Sequence, residues 1–231
     1  MQTALVTGAN KGIGLGLARA LAQKGFRVFL GVRDEEKGRA AQQQLAEEGL
    51  TVEVLSLDVS KEESIRGAVQ QLASQIDHLD VLVNNAGIFG GHDGQSALTI
   101  PAERVLEVFE TNALGPLLLS QQLVPLLKKS PAGKIINISS GLGQLSSMDG
   151  SYAAYRISKT ALNAVTRMLA AELRPAGVTV NSVCPGWVRT DMGGEHAERS
   201  IEESVAGILP LLVEQTRFNG AFLRDAQPIA W

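Results

Sequence analysis

A short apolar run, Ala4-Leu5-Val6, meets Thr7-Gly8-Ala9-Asn10-Lys11-Gly12-Ile13-Gly14, after which Leu15, Leu17, Ala18, Leu21 and Ala22 follow helical spacing. That order is strand, glycine turn, helix. Gly8 permits a tight reversal, Gly12 lets the backbone approach a pyrophosphate, and Gly14 lets the helix pack closely on the strand. The helix N-terminus adds unpaired N–H groups and a partial positive charge. A Walker loop is excluded, because Gly-Lys-[Ser/Thr] is missing. A plain turn also uses glycine, so the rest of the chain decides.

The alternation continues. Arg27–Val32, Thr51–Leu57, Val81–Val83, Lys134–Ile138, Val178–Val183 and Gly220–Leu223 read as further strands, with helical stretches between most of them. Seven strands in this order predict an α/β architecture: one doubly wound, mainly parallel seven-stranded sheet flanked by helices, with residues 1–231 as a single domain. Asp34 is the expected N-cap of the helix near 35–48. Ser60-Lys61-Glu62-Glu63 is a capping-box pattern for the next helix. The helical region from Pro101 to about Lys129 contains Asn112, Gly115, Pro116 and Pro125, so a break is expected near Asn112. Pro116 has no N–H, which leaves the Asn112 carbonyl without its usual helical donor and open to an ordered water; a kink made only for packing is the alternative.

Composition narrows the function. At 231 residues and 45% hydrophobic, the chain can bury a full core. A net charge of -3 with acids and bases interspersed excludes a basic stripe for nucleic acid or a polybasic membrane patch. Cys184 is the only cysteine, so no internal disulfide forms. His78, His92 and His196 are scattered and no His-Glu-x-x-His occurs, so no metal is expected. With neither a charged leader before an apolar run nor an apolar stretch of the ~20 residues that span a bilayer, a cytoplasmic protein is expected.

The second strand ends in Val32 and then Arg33. Dinucleotide folds that take NAD commonly place an acid there for the ribose 2'-hydroxyl, whereas an arginine accommodates a 2'-phosphate. Arg33, with Lys11 reaching from the glycine loop, therefore favours NADP over NAD. Asp58 closes the third strand at its C-terminal end, where ligands of open α/β sheets bind. Asn84-Asn85-Ala86-Gly87 closes the fourth with amides and small residues that suit a flat ring.

Tyr155 and Lys159 stand one turn apart on one helix face. A phenol ionises near pH ~10, and an opposite charge within about 4–6 Å lowers a pKa by roughly 1–3 units, so the pair can move a proton. A Tyr and a Lys at this spacing also simply decorate helices; their company carries the reading. Trp187, Leu142, Leu145 and Met148, in the loops at 141–152 and 187–200, suit an apolar substrate or local packing.

Together, Thr7-Gly8-x-x-x-Gly12-Ile13-Gly14, Asn84-Asn85-Ala86-Gly87, Asn112, Ser139-Ser140, Tyr155-x-x-x-Lys159 and Pro185-Gly186 resemble the short-chain dehydrogenase/reductase family over essentially the whole chain. The nearest likeness within it is to NADPH-dependent carbonyl reductases, through Asn10-Lys11, Gly31-Val32-Arg33-Asp34 and the Gly220–Asp225 and Pro228–Trp231 endings. The resemblance implies a Rossmann fold with NADP(H) held by Gly8, Asn10, Lys11, Gly12, Ile13, Gly14 and Arg33, with Asp58 and Val59 at the adenine. It puts Asn85 near the adenine ribose, Val188 and Thr190 at the carboxamide, and Tyr155 and Lys159 at the nicotinamide ribose. It carries the catalytic tetrad onto Asn112, Ser140, Tyr155 and Lys159. Ser140 is chosen over Ser139 because the family's reacting serine is second in the pair, and Tyr155 over Tyr152 because only Tyr155 precedes a lysine at the fourth position. The implied substrate is a small, largely apolar ketone, aldehyde or quinone or its alcohol. An acyl-carrier-linked 3-ketoacyl reductase and a non-catalytic NADP sensor are the alternatives. Only a short segment separates Ser140 from Tyr155, without the insertion that covers the pairing helices of monomeric relatives. A homodimer or homotetramer through the 101–129 and 151–173 helices is therefore expected.

Overall fold

The computed structural model describes residues 1–91 and 96–231. His92 lies outside the described residues. Strands β1 (Thr3–Thr7), β2 (Arg27–Val32), β3 (Val52–Ser56), β4 (Val81–Asn84), β5 (Lys134–Ile138), β6 (Thr179–Val183), β7 (Phe222–Arg224) and β8 (Gln227–Pro228) form one sheet. Their order is β3-β2-β1-β4-β5-β6-β7-β8, parallel throughout except for the last pair. β1, β4 and β5 are buried along their whole length, which is why they read as continuous apolar runs rather than alternating ones.

Among the described residues the sheet has eight strands, one more than the expected seven. β8 is two residues long and one of them is proline, too short to leave a periodic signal. The turn before it holds Asp225 and Ala226 at φ 50° and 55°. Two positive-φ residues make the tight hairpin geometry that Asn-Gly normally advertises, and Asp-Ala does not advertise it.

Helices α1 (Gly12–Gln23) and α7 (Ile201–Val213) cover one face with α2 (Glu35–Glu47), burying Leu17, Leu21, Leu45 and Ile208. On the other face lie α3 (Glu62–Ala73), α4 (Ala102–Phe109), α5 (Gly115–Leu127) and α6 (Ala153–Leu173); Ile65, Leu72, Leu119, Leu123 and Val165 fill the second core there with Phe29. Asp34 caps α2 by accepting from the Lys37 N–H. The capping box expected at Ser60 does not form. Ser60 N and Oγ both turn back to Asp58 Oδ1, at 3.1 and 2.7 Å, and α3 starts behind an uncapped Lys61. A box does form at the start of α7, between Ser200 and Glu203.

The break near Asn112 is a π-helical turn, Glu110–Leu114, joining α4 to α5. The helix continues through it across Pro116 without an interruption. The strand order reverses between β1 and β4, so the crevice for a ligand opens at the C-terminal ends of those two strands.

Candidate active site

Two loops make one wall of that crevice. Gly8, at φ 64°, sits against the exit of β4; a Cβ there would meet Ala86 Cα at 2.9 Å. Thr7 Oγ1 accepts the N–H groups of Asn85 and Ala86 at 2.9 and 3.0 Å, and the Asn85 amide donates to Thr7 O at 2.8 Å. Asn85 therefore fastens the two loops together. The N-terminus of α1 has no side-chain cap and no acid in its first turn. Its N–H groups are the kind of donors a diphosphate satisfies. Gly12 is at φ 58°, and Thr190 Cγ2 lies 3.4 Å from where its Cβ would be, which brings the loop after β6 over the glycine turn. Ile13 packs on the core beneath, and Val188 is buried in the same late loop.

Arg33 is exposed just past the end of β2. Asp58 and Val59 follow β3, with the Asp58 carboxylate engaged by Ser60. The Lys11 Nζ pairs at 2.5 Å with Asp191, across the glycine loop. Both partners are exposed, so the pair is weak and open to exchange.

The other wall carries the expected catalytic residues. Asn112 is wholly buried in the π turn, its Oδ1 accepting from Ile88 N at 2.8 Å and its Nδ2 donating to Ile88 O at 2.8 Å and Ser158 Oγ at 3.0 Å. Ser158 Oγ donates to Tyr155 O at 2.8 Å, tying the π turn to α6; sequence reasoning missed it, since a helical serine inside Tyr-x-x-x-Lys carries no signal of its own. Ser140 is near enough to the Tyr155 hydroxyl to lower its pKa and accepts from Leu142 N at 3.1 Å, whereas Ser139 Oγ turns to Lys159 O. Gly87 closes the group: its missing Cβ would lie 3.2 Å from Asn112 Oδ1 and 3.6 Å from Lys159 Nζ.

Lys159 is 4% exposed, donates to Ile138 O at 2.8 Å and stands 5.5 Å from the centre of the Tyr155 ring. Burial lowers its pKa to about 8. Burial also raises the Tyr155 hydroxyl well above its ordinary value, against the lowering effect of Ser140. The lowering by Lys159 expected from the sequence does not enter in the protein alone: burial dominates the phenol, and the Lys159 Nζ lies over the ring. A phenol held this way keeps its proton at neutral pH.

The residues present fit a dinucleotide: an uncapped helix N-terminus at one end, an arginine past β2, and a buried lysine with donors to spare at the other. A reversed doubly wound sheet with those groups and a phenol–serine–lysine cluster defines a dinucleotide-binding fold with an acid–base site. The model for the short chain dehydrogenase family matches residues 2–200, and the chain belongs to that family. It is 32% identical to carbonyl reductase (NADPH) 3 of Mus musculus over 277 aligned residues, covering 100% of this chain and 98% of that protein. It is 40% identical to the granaticin polyketide synthase putative ketoacyl reductase 1 of Streptomyces violaceoruber, covering 92% of this chain and 75% of that protein. The NADPH-bound carbonyl reductase from chicken fatty liver superposes with a TM-score of 0.91 at 33% identity, covering 100% of this chain and 99% of that one.

Among the described residues, no helix is long and apolar enough to cross a membrane, and no cluster of three or more His, Cys, Asp or Glu is placed to hold a metal.

Proposed function

We propose that the protein is an NADP(H)-dependent oxidoreductase of small, largely apolar ketones, aldehydes or quinones and their alcohols, working in the cytoplasm as one domain over 1–231. The observation that carries this is the grouping of Ser140 with buried Tyr155 and Lys159 on the side of the sheet's switch point, with Arg33 past β2. Full-length similarity to NADPH-named carbonyl reductases supports it.

Gly8, Asn10, Lys11, Gly12, Ile13 and Gly14 would hold the diphosphate end, Arg33 the 2'-phosphate, Asp58, Val59 and Asn85 the adenosine, and Val188 and Thr190 the nicotinamide. When bound, NADPH supplies the hydride that reduces the carbonyl carbon. Tyr155, its proton retained by burial, donates that proton from Oη to the substrate oxygen. Ser140 hydrogen-bonds the same oxygen and holds the phenol in place. Lys159, mostly charged at neutral pH, stabilises the phenolate left behind and binds the nicotinamide ribose. The Asn112 carbonyl holds a water for proton resupply.

The test is NADPH and NADH oxidation against a panel of ketones, aldehydes and quinones, with Tyr155→Phe alongside. Turnover with NADPH that the variant loses is the expected result; NADPH binding with turnover on no free carbonyl overturns it. A second reading, a carrier-linked 3-ketoacyl reductase, is favoured by the 40% identity to a polyketide ketoacyl reductase. The basic patch it needs is not well formed, since Arg189 spends its guanidinium on the Ala197 and Glu198 carbonyls at 2.9 Å. Turnover only on carrier-linked substrate would select it. Exposed Leu106 on α4 with Ile157 and Met168 on α6 support a homodimer or homotetramer through those helices. A monomer mass by light scattering would remove that part.

A further inference from the structure

The residue after Tyr155 is a buried cation. The Arg156 side chain is 5% exposed, and its guanidinium is spent on the segment that leads from Ser140 into α6. Nε donates to Ser151 O at 2.9 Å, Nη1 to Leu142 O at 3.4 Å, and Nη2 pairs with Asp149 Oδ2 at 2.5 Å. Asp149 is 60% exposed, and its other oxygen gathers Ser151 N and Oγ at 2.8 and 2.6 Å. The clamp thus has a buried half on two loop carbonyls and an exposed half on one acid.

What the clamp holds touches the site. Immediately after Ser151 the chain enters α6 through Tyr152, at φ 52°, a left-handed backbone that a tyrosine adopts only when its surroundings impose it. Arg156 N donates to Tyr152 O at 2.9 Å. The Tyr152 ring packs on Phe89 with centroids 5.1 Å apart, and Phe89 packs on Tyr155 at 4.8 Å. At the other end, Leu142 N donates to Ser140 Oγ at 3.1 Å. If the segment only had to cover the core, an apolar side chain at 156 would do so without desolvating a charge, and water would satisfy the loop carbonyls. The guanidinium instead fixes both ends of the segment against α6.

We infer that Arg156 is a positioning residue: it clamps the 142–151 segment so that Ser140 and the Tyr152–Phe89 rings present a preformed carbonyl-binding face beside Tyr155. The clamp rests on the proposed reductase reading for its role, but not for its existence. Its loss raises the cost of binding substrate and leaves the bound substrate to react normally, so it acts on KM rather than kcat.

The test compares wild type with Arg156→Met, Arg156→Lys and Asp149→Asn, using NADPH and p-nitrobenzaldehyde, with NADPH affinity by fluorescence and amide hydrogen exchange over 141–152. Loss of charge-assisted bonds should raise KM about 10-fold or more in Arg156→Met, with kcat within about 3-fold, NADPH affinity unchanged and exchange in the segment accelerated. Arg156→Lys should recover part of the KM, and Asp149→Asn should raise it about 2–4-fold. Unchanged KM and exchange in Arg156→Met would overturn the inference, as would parallel loss of kcat, NADPH affinity and melting temperature without rescue by lysine. Should Arg156→Met fail to fold, the mostly solvent-facing Asp149→Asn decides: unchanged KM and exchange there also overturn it. If wild type reduces no free ketone, aldehyde or quinone, the reductase reading fails, while the exchange measurements still decide the clamp.

Discussion

Strand β5 has a buried lysine at each end, and the two are held in opposite ways. Lys134 opens the strand at 7% exposure, and its Nζ donates to Leu212 O at 2.9 Å and Glu214 O at 2.5 Å. It sits where the final carbonyls of α7 and the negative end of its dipole favour a cation. Burial lowers its pKa, and Asp80 and Glu214 oppose that lowering. Lys159 donates to Ile138 O, the last residue of the strand, and among the described residues it is given no second hydrogen-bond acceptor. The first lysine closes a helix end. The second keeps donors in reserve, and a reserve inside a protein is a stability cost that a ligand relieves.

The strongest test of that contrast lies with the group Lys159 serves. Tyr155→Phe should lower kcat by about 10² to 10⁴ while NADPH binding stays, read by steady-state kinetics and cofactor titration. Lys159→Met should lose activity on a similar scale yet melt no lower than wild type at pH 7. The sign follows from the native pKa of about 8, below the ordinary 10.5: the unfolded chain holds more protons between those values, so stability rises with pH across that window. The melting advantage of Lys159→Met over wild type should therefore shrink from pH 8 to 10, and an advantage that grows would break the comparison. Over the same range wild-type reduction should slow as Lys159 loses its charge.

Lys134→Met should do the reverse: specific activity within about twofold of wild type, and about 1–3 kcal/mol less stability, because two carbonyls lose a buried donor. Chemical denaturation checks it. The exposed cations extend the contrast to the surface. Arg33→Ala should cut the preference for NADPH over NADH by about 10-fold, the worth of a charge-assisted bond to the 2'-phosphate. Asp191→Asn, which frees Lys11, should tighten NADPH by no more than about threefold, as expected of an exposed pair.

What the sequence disclosed was what local pattern can carry. β1, the glycine turn and α1 are contiguous, and so are Tyr155 and Lys159, so spacing was enough to place them. The Asp34 cap and the disturbance at Asn112 were legible for the same reason, through one side chain and one missing N–H. The rest depends on neighbours distant in the chain. Lys11 meets Asp191, and Lys134 meets the end of α7, only after the sheet is assembled. The raised Tyr155 pKa is a property of burial and not of residue order. Ser60 had the right residues for a capping box, but a carboxylate two positions earlier took its hydroxyl. Arg156 carries no local signal, and only the folded loop shows it inside.

The π turn at Glu110–Leu114 has a consequence for how the chain tolerates insertion and deletion. Each residue turns an α-helix by about 100°, so one residue removed from that turn would let α4 and α5 fuse into a regular helix while rotating Asn112 away from Ile88 and Ser158. The shortened chain would gain helical regularity and lose the fixed position of Asn112. On the role proposed for Asn112, a single-codon deletion that a surface loop would absorb should leave a folded protein with reduced turnover.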